Sequence, residues 1–157
     1  MNRTKSMEHY VNKTVTGQLH KILVVEDDLS LRQLWEYFLK SEISEAIVEW
    51  AVSCEEALKM IEQQNNNKTP YFLIITDIFL AGSKTGIELI TSAEVANSKA
   101  IKILVSSTYR DEIIKKFGHM ISGVTVLSKP LDFKQIKVIF KTVLKGSDRR
   151  PESSSTA

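Results

Sequence analysis

The stretch YFLIITD, residues 71–77, decides the fold. Five apolar or aromatic residues run without interruption into Thr76 and Asp77. A half-exposed strand would alternate. A short continuous run fits a strand covered on both faces, as in a parallel sheet with helices on either side. Pro70 precedes the run, and a loop containing glycine follows it.

Working outward, Lys21–Glu26 (KILVVE) repeats the pattern, with four apolar residues of which three are β-branched. Ile101–Ser106 and the shorter Gly123–Ser128 do the same, and Ala46–Val52 reads as a weaker strand with edge character. Helix-period segments lie between. Leu29–Ser41 puts Leu31, Leu34, Trp35 and Phe38 on one stripe. Ser53 with Glu56, and Thr85 with Glu88, are spaced as capping boxes. They open helices expected to reach about Gln64 and about Ala96. A further helix spans about 109–118. After the break at Lys129-Pro130, Asp132 and Gln135 start a last helix carrying Phe133, Ile136, Ile139, Phe140 and Val143. The order is β-α five times over. The expected class is α/β, a doubly wound five-stranded parallel sheet, whose ligands bind beyond the carboxyl ends of the strands.

The chain has 157 residues, 43% hydrophobic and 25% charged, which fits one globular domain and excludes collagen-like or wholly disordered classes. A formal charge of +2 argues for neither nucleic acid nor a membrane surface as partner. The apolar runs are far shorter than the ~18 residues a spanning helix needs. The first twenty residues lack an apolar signal core. With Cys54 as the one cysteine, an intramolecular disulfide and a cysteine zinc site are out, and a cytoplasmic setting is expected. Residues 1–19 and 146–157 read as tails, the second disordered, around a domain at 20–145. The tail after 146 is too short for an output domain, so a single-domain protein is expected. Cys54, Trp35 and Trp50 read as packing residues. The three histidines show no metal-ligand spacing.

The strand ends carry the chemistry. The first ends in Glu26-Asp27-Asp28, the third in Asp77, the fourth in Ser106-Ser107-Thr108 and the fifth in Lys129. Carboxylates gathered on one rim repel, and a hard divalent cation such as Mg²⁺ removes the conflict. Beside such an ion, a carboxylate can attack phosphorus, while a lysine and a hydroxyl receive the phosphoryl oxygens. No GxGxxG or GxxxxGK[ST] run supports a nucleotide-binding enzyme instead.

KILVVEDD (21–28), YFLIITDIFLAGSKTGIEL (71–89), KILVSS (102–107) and VTVLSKP (124–130) together resemble the receiver domain of two-component response regulators. The resemblance implies a flavodoxin-like (βα)5 fold and a phosphoacceptor signalling domain, not an enzyme acting on a separate substrate. Asp77 would be the phosphoacceptor and one of the Mg²⁺ ligands. Asp27 would ligate Mg²⁺ directly, Glu26 through water, and Phe79 through its backbone carbonyl. Ser106 and Lys129 would bind the phosphoryl group, with Lys129-Pro130 where the family has a cis peptide. Asp28 is left as a helix cap. The implied partners are a sensor histidine kinase or phosphotransfer protein and a downstream protein of unknown identity. The alternative is a phosphorelay shuttle passing phosphate to a histidine phosphotransfer protein.

The chain departs from the family in three places. Ala81 stands where proline is usual, Gly86 comes nine residues after Asp77 where eight is usual, and Val126 replaces an aromatic rotor. Tyr109 is a candidate to take part of the rotor's role.

Overall fold

A computed structural model describes residues 19–147. Five strands, β1 (His20–Val25), β2 (Ala46–Ala51), β3 (Leu73–Asp77), β4 (Ile101–Ser106) and β5 (Thr125–Ser128), form one sheet in the order β2-β1-β3-β4-β5. Every pairing is parallel. The helices are α1 (Arg32–Glu42), α2 (Cys54–Asn66), α3 (Gly86–Thr91), α4 (Ala93–Ala96), α5 (Arg110–Phe117) and α6 (Phe133–Ser147). The expected α/β class, five-fold alternation and parallel sheet are all present. Both chain ends assigned as tails lie outside the described residues, apart from a few positions at their inner edges. Among the described residues, no helix is long and apolar enough to cross a membrane.

Alternation along the central strands divides the core. Ile22, Val24, Leu73, Ile75, Ile103 and Val105 face one side, where Trp35, Phe38 and Phe140 pack. Leu23, Val25, Ile74 and Leu104 face the other, against residues of α2, α3 and α5. All five residues of β3 are buried, as its unbroken apolar run demands. α1 and α6 meet through aromatic contacts, Trp35 to Phe133 at 5.6 Å and Phe38 to Phe140 at 5.2 Å between ring centroids. These edge-on geometries suit the ring quadrupoles.

The local differences from expectation have local causes. Leu34 is exposed, because the buried stripe of α1 is Trp35, Phe38 and Leu39, and a residue one step earlier is turned away from it. A 3₁₀ turn at Leu29–Leu31 precedes α1, capped by Asp28 as expected. The helix from Thr85 breaks at Ser92 and does not run continuously to Ala96. There Thr91 and Ser92 hydroxyls donate back to the Ile87 and Leu89 carbonyls, competing with helical bonding. The Thr85–Glu88 capping box is complete. At α2, Ser53 accepts from the Glu56 amide, but Glu56 reaches past Ser53 to the Val52 amide. β3 starts at Leu73, although Phe72 still bonds to Lys21 and Ile101 through its backbone. β5 starts at Thr125, after Gly123 turns the chain at φ +77°.

Candidate functional site

β1 and β3 lie side by side, yet the chain leaves them for opposite edges of the sheet, to β2 and to β4. Such a switch point opens a crevice at the carboxyl ends. Glu26 and Asp27 follow β1 there, and Asp77 is the last residue of β3. One carboxylate oxygen from each of the three lies within 4.8 Å of the others. Glu26 and Asp77 are buried, and Asp27 is exposed.

Lys129 reaches this cluster from the end of β5. Its ammonium donates to Asp77 Oδ2 at 2.5 Å and to Glu26 Oε2 at 3.0 Å. The peptide joining it to Pro130 is cis. Burial disfavours the ammonium's charge, but the bonds to Asp77 and Glu26 outweigh that and hold its pKa above the usual lysine value. Burial, helped by the Asp77 charge, pushes the Glu26 carboxyl up despite bonds from the Asp28 amide and Lys129.

Ser106, the last residue of β4, is fully buried. Its hydroxyl accepts from the Thr108 amide at 2.9 Å, and its carbonyl accepts from the Lys129 amide at 2.7 Å. Ser106 therefore borders the cluster while its hydroxyl is engaged in the β4–α5 loop. The Phe79 amide donates to Asp77 Oδ1 at 3.2 Å, and its ring is 61% exposed. Tyr109, ahead of α5, is 78% exposed, and Val126 is buried in the core. The structure thus gathers Glu26, Asp27, Asp77 and Lys129, with Ser106 and Phe79 at the margin.

Other residues support the site without a signal in the side-chain pattern. The Asp28 amide donates to Glu26 Oε1 at 3.0 Å, a role for its backbone beside its capping carboxylate. Thr76 Oγ1 donates to the Asp77 carbonyl at 2.9 Å. Gly86 passes so close that an added Cβ would lie 1.9 Å from the Asp77 carbonyl oxygen. Its amide closes the loop on the Ile78 carbonyl at 2.8 Å. A glycine at the start of a capped helix was the one visible sign of this close approach.

Three carboxylates against one ammonium leave a local excess of negative charge. The donors are all oxygen, and the Asp27 carboxylate accepts no hydrogen bond among the described residues. An all-oxygen set with an open carboxylate fits a hard divalent ion that keeps part of its water, as Mg²⁺ does.

Fold and crevice together define a class of α/β domain with an acidic rim at the carboxyl ends of its strands. The family model of the response regulator receiver domain matches residues 22–141, and the chain belongs to that family. Receiver domains are phosphoacceptor signalling domains that bind Mg²⁺ at an acidic pocket and interact with histidine kinases and downstream targets. Solved structures agree on the fold. A signal receiver domain of an HD domain-containing protein from Pseudomonas fluorescens Pf-5 is 18% identical, with a TM-score of 0.69 and coverage of 87% of this chain and 95% of its own. A CheY-like response regulator receiver domain protein from Methanospirillum hungatei JF-1 is 23% identical, with a TM-score of 0.67 over 84% and 98%. A two-component response regulator from Clostridium difficile is 24% identical, with a TM-score of 0.64 over 80% and 96%. No curated protein matches.

Proposed function

We propose that this receiver accepts a phosphoryl group on Asp77 from the phosphohistidine of a sensor kinase or phosphotransfer protein, with Mg²⁺ required. One observation carries the reading: the Lys129 ammonium sits on Asp77 Oδ2 and Glu26 Oε2 in the same crevice as Asp27. An oxygen of the Asp77 carboxylate forms the new O–P bond. The P–N bond of the donor imidazole breaks, and its nitrogen keeps the electron pair. Asp27, Asp77, Glu26 and the Phe79 carbonyl would hold the ion, Glu26 through water. When bound, Mg²⁺ supplies positive charge to the transferring phosphoryl oxygens. Lys129 would keep contact with the new phosphoryl group, and the Ser106 hydroxyl, which accepts from the Thr108 amide, would swing away from it to donate to a phosphoryl oxygen.

That exchange is a two-state element of the kind a charge change can bias. Freed from Ser106, the β4–α5 loop shifts, and the surface formed by α5, β5 and α6 changes with it. A shallow groove there is floored by Val126, Leu127, Ile136 and Ile139 and edged by Arg110 and Gln135. This is the face through which a partner would read the phosphorylated form.

A second reading, a phosphorelay shuttle, draws support from Val126. A buried aliphatic side chain there supplies no aromatic ring to follow the Ser106 hydroxyl. Incubating phosphorylated protein with histidine phosphotransfer proteins and following label onto the second protein separates the two.

The deciding experiment is incubation with acetyl phosphate or phosphoramidate and Mg²⁺, followed by intact mass measurement. The wild type should gain one phosphoryl group and Asp77→Asn none. Equal modification of both ends the proposal.

A further inference from the structure

Asp27 differs from its two acidic neighbours in how it is held. Glu26 is fixed by Lys129 and the Asp28 amide, and Asp77 by Lys129 and the Phe79 amide. The Asp27 carboxylate is exposed and has no side-chain partner among the described residues. Its position follows from the backbone alone.

That backbone is where the sheet's own bonding stops. The Glu26 amide donates to the Ala51 carbonyl at 3.0 Å, the last backbone–backbone bond between these two segments among the described residues. The Glu26 carbonyl, one atom from the Asp27 nitrogen, lies beyond the ladder. It accepts instead from the indole Nε1–H of Trp50 at 3.0 Å. Trp50 stands opposite Val24 in the β1–β2 register and reaches forward along the strand. An indole is a donor only, so this bond uses its whole polar capacity. The Arg32 guanidinium lies 5.8 Å from the ring centroid and packs the indole from the α1 side.

The Glu26 carbonyl and the Asp27 nitrogen share one rigid peptide plane. Rotating that plane swings the Asp27 carboxylate with it. We propose that Trp50 is a positioning residue for the divalent cation, locking the Glu26–Asp27 peptide so that Asp27 is aimed into the crevice before the ion arrives. The inference rests on the metal-dependent reading above and adds a residue from the edge strand to it. Outer partners that orient metal ligands typically change affinity by about 10–100-fold. Here the link runs through a peptide plane, so the lower part of that range applies.

The test isolates the N–H. In one variant, Trp50 is replaced by β-(3-benzothienyl)alanine, which puts sulfur in place of the N–H and keeps the ring. The second variant is Trp50→Phe. Calorimetric titration with MgCl₂ should show about tenfold weaker binding in both. NMR relaxation in the metal-free protein should show a lower order parameter for the Asp27 amide than in wild type. Phosphorylation at saturating Mg²⁺ should stay within about twofold, since the loss is in ion binding and not in transfer. An unchanged affinity and an unchanged Asp27 order parameter in the benzothienyl variant overturn the proposal, even if its melting temperature falls, because that pattern is packing alone. If Trp50→Phe does not fold, the benzothienyl variant decides. If the wild type itself binds no Mg²⁺, the metal-dependent reading fails, while the metal-free order parameter still judges whether Trp50 locks the peptide.

Discussion

Lys129 Nζ lies 2.5 Å from Asp77 Oδ2 although 52 positions separate the two residues in sequence. Two strand ends must be correctly placed in the sheet for that contact to form. It joins a partly exposed cation to two buried carboxylates. Removing one member of a buried ion pair typically costs about 3–5 kcal/mol, and the partial exposure of Lys129 reduces that to about 2–3 kcal/mol. Lys129→Met should lose this much in urea denaturation of the metal-free protein at neutral pH. Adding Mg²⁺ should restore part of it, since the ion replaces the missing positive charge. A loss below about 0.5 kcal/mol would show that the pair contributes no more than an ordinary surface contact.

The raised Glu26 carboxyl gives a stability–pH curve with a definite sign. Burial, then the Asp77 charge, holds its folded value above the ordinary 4.5. Between those two values the folded protein keeps a proton that the unfolded chain has lost. Stability therefore falls as pH rises through that window. Lys129 acts at the other end. Its contribution is complete below its ordinary 10.5 and is lost as pH rises through the higher folded value. Denaturation of metal-free protein across the acid range should show the first fall in wild type and a flat segment in Glu26→Gln. A wild-type curve that rises through the same window contradicts the assignment.

Gly86 closes the loop after Asp77 without room for a side chain. A Cβ there would meet the Asp77 carbonyl oxygen at 1.9 Å and Thr76 Oγ1 at 2.8 Å. The first obstacle is backbone, so no rotamer change relieves it. Gly86→Ala must displace either the start of α3 or Asp77 itself. A stability loss of about 3 kcal/mol or more is expected, larger than ordinary overpacking because backbone has to move. Urea denaturation checks it, and a neutral result would mean that the loop repositions freely.

The physical basis of each sequence signal explains how much was legible. YFLIITD and KILVVE carry burial on both faces in their own composition, so a parallel sheet could be read before any contact was known. Glu26, Asp27, Asp77 and Lys129 were legible because strand ends in such sheets share one rim. The break at Ser92 was not, since it depends on two hydroxyls choosing backbone carbonyls over solvent. Leu34 shows the limit of apolar periodicity, because a stripe wide enough to include it also included a position turned to water. The sequence shows Trp50 only as a packing residue, since its donor finds a backbone carbonyl and carbonyls leave no mark in sequence.

Phe79 supplies the last prediction. Its backbone amide donates to Asp77 Oδ1 at 3.2 Å, which holds the residue next to the carboxylate, while the residue stays 61% exposed. Asp77 itself is buried. Hydrolysis of an acyl phosphate on Asp77 needs water in line with the phosphorus, opposite the aspartyl oxygen that leaves. A bulky apolar side chain two residues after Asp77 would restrict that approach. A shorter polar side chain would admit water and could hydrogen-bond it. Phe79→Asn should therefore shorten the phosphorylated lifetime several-fold, and Phe79→Leu, which keeps apolar bulk, should change it little. Both are read by single-turnover decay after the phosphodonor is removed. Mg²⁺ affinity should stay near wild type in both, because the expected ligand at 79 is the backbone carbonyl. An unchanged lifetime in Phe79→Asn would show that water reaches the phosphorus by a route the ring does not cover.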